Sequence, residues 1–379
     1  MSPAGYPIPR AAYIHVPFCA HRCGYCDFTL IARRDDLIDD YLRALEIDLD
    51  RLKGRPVIDT LFFGGGTPTH LSAEQLRRLT KIVLGHFQLA DGYEFSVEAN
   101  PAGLDDAKIA ALADAGVNRV SLGVQSFDAE ILVRLERDHR RRDIVSAVEH
   151  LLESIGNVSV DLIFGVPGQT LANWKGTLTQ AIKLRPTHIS TYGLTFEKGT
   201  QFWNRLNKGE LRQASEELER SMYAAAMDQL SDAEYVQYEI SNFARPGFVC
   251  RHNEVYWRGL PYFGFGPGAA RYINGSRQIN HRSVSTWLKR VFADDSPIGE
   301  IDELSAEDGA RELLVLLLRR CEGASKQEFQ QQTGFDIDEL AREAVDCYTG
   351  CGLLEETDTH IRLTREGRFV ADTVFVDLL

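Results

Sequence analysis

With 379 residues, 44% of them hydrophobic and 26% charged, the chain has the composition of a soluble globular protein of two or three domains with a large core. Its net charge of −13 disfavours nucleic acid as the main partner, because phosphate binding needs a concentrated basic surface. Seven cysteines, an odd number, argue against a disulfide framework, and the lack of a basic leader or a membrane-length apolar span points to the cytoplasm, with membrane association left open.

The first β-branched, apolar run, residues 13–16, leads into Cys19, Cys23 and Cys26. A helical stripe over 37–52 carries Leu37, Ile38, Tyr41, Leu42, Leu45 and Leu49 on one face. A second strand, 60–63, precedes the glycine run Gly64-Gly-Gly-Thr-Pro-Thr69, and Ser72 with Gln75 then gives a capping-box start to a helix over 76–87. Strands at 94–98, 119–125, 158–164 and 188–195 follow, separated by helical patterns at 105–115, 129–137, 143–155 and 171–184. Strand-then-helix alternation repeated about six times predicts a parallel α/β sheet curling into an open, partial (β/α)6 TIM-like barrel, with a doubly wound sheet as the alternative. In either architecture ligands meet the carboxyl ends of the strands.

This barrel is expected to span residues 1–200. Residues 201–293 read as an extension, with a helix over 210–231 and an aromatic, glycine-rich stretch over 235–272. Residues 294–379 read as a linker (294–299) and a winged-helix-like α+β domain, with helices at 307–320 and 337–350 and a ribbon at 353–356 and 360–364. That last segment, from 306 onward, holds 16 acidic and 8 basic side chains, which disfavours DNA reading. Cys250, Cys321, Cys347 and Cys351 read as small buried hydrophobes.

The C-x3-C-x2-C triplet can hold three irons of a 4Fe-4S cubane and leave the fourth without a protein ligand. A zinc site completed by His15 or His21 is the competing reading, but no second cysteine or histidine pair follows at the usual distance. Glu98, Gln125 and Asp161 each interrupt an apolar strand, and burying such groups costs several kcal/mol unless each meets a ligand or a polar partner. Three on successive strands imply a shared polar pocket, in which Arg137 would neutralise a carboxylate.

Five motifs, His15-Val-Pro-Phe-Cys, Phe63-Gly-Gly-Gly-Thr-Pro-Thr69, Gly123-Val-Gln-Ser-Phe127, Asp161-Leu-Ile-Phe-Gly-Val-Pro-Gly-Gln169 and Tyr238-Glu-Ile-Ser-Asn-Phe243, together resemble the HemN/HemW branch of the radical S-adenosylmethionine (SAM) proteins. The resemblance implies a 4Fe-4S cluster on Cys19, Cys23 and Cys26, with SAM bound at its open iron. It implies that Tyr13, Gly65 and Glu98 contact that SAM. Tyr25, Gly66, Thr67, Gln125, Arg137, Asp161 and Gly193 would line the rest of the pocket, the number of SAM molecules staying open.

Within the branch, coproporphyrinogen III oxidases have a further cysteine two residues after the triplet and a longer N-terminal arm. Here that position is Phe28, and 18 residues precede Cys19. The heme-carrying members have Cys-Asp-Phe at this point and an H-N-x-x-Y-W motif, matched by His252-Asn-Glu-Val-Tyr-Trp257. The resemblance therefore implies a heme chaperone that passes heme to respiratory proteins, with His252 as an axial ligand and Tyr256 or Trp257 against the macrocycle. A radical SAM enzyme acting on a porphyrin is the alternative, and a zinc-stabilised interaction protein a distant third. A histidine common in the family after Gly264-Phe-Gly-Pro-Gly-Ala269 is replaced by Ala270 and Arg271.

Overall fold

The computed structural model describes residues 7–379; the start of the segment read as lacking a leader, residues 1–6, lies outside the described residues. Six strands run parallel and in chain order: β1 (Ala11–Val16), β2 (Val57–Gly65), β3 (Gln88–Ala99), β4 (Arg119–Gln125), β5 (Val158–Phe164) and β6 (His188–Gly193). Beside β6 lies β8 (Asn242–Ala244), antiparallel to it, with β7 (Val236–Gln237) antiparallel to β8 at the outer edge, and beside β1 lies β9 (Phe263–Phe265), which is parallel. The order β9-β1-β2-β3-β4-β5-β6-β8-β7 has two free edges, so the barrel is open, as the alternation of strands and helices implies.

Period-two alternation sorts the side chains. Ile14, Leu61, Phe63, Phe95, Val97, Val120, Leu122, Val160, Leu162 and Ile189 point outward into one apolar core beneath the helices. Those helices include α1 (Ile38–Leu49), α2 (Ala73–His86), α3 (Asp106–Asp114), α4 (Arg141–Ser154), α5 (Leu171–Lys183) and α6 (Glu216–Asp232). The alternate positions, among them Glu94, Ser96, Arg119, Ser121, Ser159, His188 and Ser190, are polar and buried. Both faces of the sheet are therefore covered, one by apolar and one by polar groups.

Element starts follow local chemistry. Ser72 and Gln75 form the expected reciprocal capping box on α2, with Gln75 N–H donating to Ser72 Oγ at 3.2 Å and Ser72 N–H to Gln75 Oε1 at 2.9 Å. The expected helix over 210–231 begins at Glu216, where the Ser215 hydroxyl accepts from Leu218 N–H. The expected helix over 129–137 stops at Arg134, releasing Arg137 into the loop that covers the barrel.

Of residues 294–299, read as a linker from their Asp, Ser, Pro and Gly content, 294–297 lie in no helix or strand and 298–299 open the strand Ile298–Asp302. It completes a three-stranded antiparallel sheet with Ala270–Ile273 and Ser276–Asn280. A separate core then gathers Leu314, Leu318, Phe329, Ile337, Val345, Ile361 and Val374, between helices over 306–350 and a small three-stranded sheet. Backbone bonds tie this unit to the barrel, from Ile240 N–H to Arg319 O at 3.1 Å and from Cys321 N–H to Tyr238 O at 2.9 Å. Of the four cysteines read as buried, Cys250 is buried and Cys321 half-buried, whereas Cys347 and Cys351 are exposed at the end of the helix Ile337–Gly350. No helix among the described residues is long and apolar enough to cross a membrane.

Candidate functional site at the barrel mouth and floor

At the carboxyl ends of the strands lies a cavity of about 460 Å³. Its lining includes Cys19, Cys23, Cys26, Tyr25, Gly66, Thr67, Glu98, Gln125, Arg137, Asp161 and Gly193, so eleven residues singled out from sequence converge on one space. The cysteine loop is held by two-residue pairing of Phe18–Cys19 with Ile31–Ala32 and by Arg22, which donates to Leu30 O at 2.8 Å and Cys26 O at 3.2 Å. Burial raises the Cys23 and Cys26 thiols, the latter to about 11, with Arg137 opposing the shift at Cys23. Arg137 stands 3.8 Å from Cys23 Sγ and donates to Gly123 O at 2.8 Å, so it is committed to the cavity and is not the solvated arginine usual at a helix end.

Among the described residues, no three His, Cys, Asp or Glu side chains are gathered tightly enough to grip a single ion. Tetrahedral zinc, with sulfur about 2.3 Å from the metal, needs such a gathering. A cubane instead takes one thiolate per iron, and three soft donors spaced around one wall of a roomy cavity fit it.

Two glycines in the run after β2 are required by space. A Cβ at Gly66 would lie 2.6 Å from Phe18 O, and one at Gly65, where φ is +115°, would lie 2.7 Å from the His15 ring. Gly65 N–H donates to Glu98 Oε2 at 3.0 Å. Gly193, with ordinary clearance around an added Cβ, is not required sterically. Gln125 adopts φ +64° where the β4–β5 register slips, a conformation that costs a non-glycine residue about 1–3 kcal/mol and re-aims its amide into the cavity. Asp161 accepts from Ser121 at 2.9 Å, Ser159 at 3.1 Å and Ser190 at 2.7 Å, yet burial still raises its carboxyl.

Tyr13 and His252 lie elsewhere. Tyr13 points inward three residues before the end of β1 and lines a second cavity of about 800 Å³ beneath the barrel. His252 belongs to the short helix α7 (Arg251–Trp257), whose first N–H groups, from Arg251 and His252, donate to Glu94 at 2.8 and 3.0 Å. The imidazole is 1% exposed, stacks on Phe62 at 5.1 Å, and uses both nitrogens, Nδ1 with Thr60 Oγ1 and Nε2 with Tyr256 Oη, each at 2.8 Å. Both ring nitrogens of His252, the residue expected to offer an axial nitrogen to heme, are thus hydrogen-bonded within the fold, and of the 252–257 motif Tyr256 and Trp257 line the second cavity.

Sequence reading missed Arg119 and Glu94, which fill the polar interior between mouth and floor. Their signal was present in the alternation that exposed Glu98 and Asp161, because Arg119 and Glu94 hold the same inward parity on β4 and β3.

The profile described as the Radical SAM superfamily matches residues 13–181, and that of the HemN C-terminal domain matches 304–370. The heme chaperone HemW of Bacillus subtilis is 38% identical over 371 residues, covering 97% of this chain and 98% of its own. The chain belongs to the HemW family. A HemW of Escherichia coli is 33% identical over 97% of each chain, and a mitochondrial radical S-adenosyl methionine domain-containing protein 1 of Bos taurus is 32% identical. The solved coproporphyrinogen III oxidase (HemN) of Escherichia coli shares the fold, with a TM-score of 0.86 at 22% identity over 99% of this chain and 91% of that one. Membership of the HemW family, inside the radical SAM superfamily, brings a 4Fe-4S cluster and SAM as cofactors.

Glu98 gives this HemW-family site a testable pH signature. Burial, outweighing the Gly65 hydrogen bond, pushes its carboxyl from the ordinary 4.5 up to about 8. Between those values the folded chain holds a proton that the unfolded chain releases, so stability declines as pH rises through the window and levels off above it. Glu98→Gln in the cluster-free protein should flatten that decline in denaturation midpoints. Parallel pH curves for wild type and variant would contradict the assignment.

Proposed function

We propose that this chain is a heme chaperone: it binds heme, a 4Fe-4S cluster and SAM, and delivers heme to respiratory proteins. Near-full-length identity with proteins named heme chaperone HemW carries this reading. The position of Phe28, 58% exposed at the cavity rim, supports it against a coproporphyrinogen III oxidase activity, because the extra cysteine of the oxidases is replaced by an apolar ring.

In this reading Cys19, Cys23 and Cys26 each hold one iron as thiolates. When bound, the cluster supplies an iron open to the amino and carboxylate groups of SAM, and with it access to radical chemistry. Arg137, beside Cys23, offsets part of the negative charge that three thiolates bring into a poorly solvated cavity. Gly66 lets the main chain approach SAM, Gly65 behind it holds Glu98 through its N–H, Thr67 steadies Cys19 at 3.2 Å, and Glu98, Gln125 and Asp161 meet polar groups of SAM. Tyr25 and Gly193 complete the lining.

Anaerobic incubation of reconstituted protein with SAM, dithionite and either heme or a porphyrinogen tests the proposal. The chaperone reading expects stable heme binding, transfer to a heme-depleted respiratory protein, and no porphyrinogen consumption. Rapid 5′-deoxyadenosine release coupled to porphyrinogen consumption would instead establish an oxidase-like enzyme.

A further inference from the structure

The cavity beneath the barrel lies between α7, the three-stranded sheet and helix Ala306–Leu318 of the C-terminal unit. At about 800 Å³ it falls in the upper part of the usual range for small-molecule sites, about 300–1,000 Å³. Tyr13, Tyr256, Trp257, Tyr262, Tyr272 and Leu313 give it the flat apolar faces that a tetrapyrrole packs against. We propose that heme occupies this cavity with the Tyr256 oxygen as the iron ligand, held in place by His252. The inference rests on the heme-carrier reading and names the ligand within it.

Hydrogen-bond donors distinguish Tyr256 from Tyr13: one receives a proton from an imidazole and the other gives one. Thr60 Oγ1 is buried and has His252 Nδ1 as its sole hydrogen-bond partner among the described residues, so its hydroxyl hydrogen satisfies itself by donating there. Nδ1 is then the acceptor, Nε2 carries the imidazole proton, and Nε2–H donates to Tyr256 Oη. The Tyr256 hydroxyl hydrogen is therefore not engaged by the imidazole.

Tyr13 is arranged the opposite way. His15 Nε2 must donate to the Thr29 carbonyl at 2.6 Å, so His15 Nδ1 accepts and the Tyr13 hydroxyl donates to it at 3.1 Å. Tyr13 lacks a donor to stabilise its oxygen as an anion, whereas Tyr256 has one in place. Phenolate is an established ligand type for heme iron, and a second hydrogen bond from a buried imidazole orients and stabilises a metal-bound ligand. On ligation the ferric iron–Oη bond forms and the O–H bond breaks. The proton leaves to water at the exposed rim beside Leu260. No electron is transferred.

The test titrates ferric heme into the full-length chain and reads absorption, electron paramagnetic resonance and resonance Raman spectra. Wild type should give a high-spin ferric centre with a phenolate-to-iron charge-transfer band. Tyr256→Phe should abolish that band and weaken binding by at least about tenfold, equivalent to about 1.4 kcal/mol. His252→Ala should keep the band but lose it at a higher pH on acidification, because the phenolate has lost its donor. Gly309, on the cavity wall with nothing within 4 Å of an added Cβ, offers a variant independent of the ligand set. Gly309→Trp should block entry and weaken binding while the cluster's spectral response to SAM reports an intact fold. A wild-type spectrum in Tyr256→Phe, or undiminished binding in Gly309→Trp, overturns the assignment. If wild type itself failed to bind heme stoichiometrically, the carrier reading would fall, a result distinct from heme bound through another ligand.

Discussion

Arg119→Met should destabilise the chain by about 3–5 kcal/mol near pH 8, the range for removing one partner from a buried charge cluster. Arg119 is 2% exposed at the start of β4, and its charge faces Glu94 and Asp161 inside the barrel. It also lowers Glu98, which burial has already pushed up to about 8. Without the guanidinium, Asp161 and Glu98 climb further above their ordinary values, so the folded form binds more protons than the unfolded. Stability of the variant should therefore recover as pH falls from 8 toward 5. Urea denaturation across that range checks both parts. An Arg119→Met protein as stable as wild type near pH 8, with no steeper pH dependence, would show that the interior carboxyl groups are balanced by something else.

Cys23→Ala should reduce iron and sulfide in anaerobically reconstituted protein to background and abolish SAM binding. Cys23 is 9% exposed and beside Arg137, and its loss leaves one corner of the cubane without a sulfur ligand at the deepest position of the loop. Cys347→Ala and Cys351→Ala, both at exposed helix positions remote from the mouth, should retain full iron. Metal analysis of the three proteins decides this. Undiminished iron in Cys23→Ala, or loss in the other two, would move the cluster away from the triplet.

The six strands were legible because apolar, β-branched runs end where the chemistry begins, and the inward residues that break those runs are the ones that meet at the mouth. Cys19, Glu98, Gln125 and Asp161 could thus be grouped before any geometry was known. Beyond residue 200 the elements are short and their pairing is long-range. Ile298–Asp302 is a strand only because Ser276–Asn280 lies beside it, and nothing in the local sequence specifies that neighbour. The helix Lys326–Thr333 went unread because Phe329 is its one buried residue, too few for a periodic stripe.

The motif at 252–257 shows a different limit. Its composition pointed to an imidazole beside aromatic rings, which is correct, but burial and donor direction are tertiary properties. Glu94, some 158 positions away in sequence, seats α7 so that His252 faces inward to Thr60 while Tyr256 meets the cavity. Sequence pattern could place the pair and could not say which member of it faces the cavity.

Everything at the mouth depends on three thiolates holding a cluster with an iron left open to SAM. Electron paramagnetic resonance on anaerobically reconstituted, dithionite-reduced wild-type protein, recorded before and after adding SAM, tests this most directly. A reduced 4Fe-4S signal whose g values shift when SAM is added is the expected result. A cluster signal indifferent to SAM, or no iron-sulfur signal in protein that has taken up zinc, would contradict it.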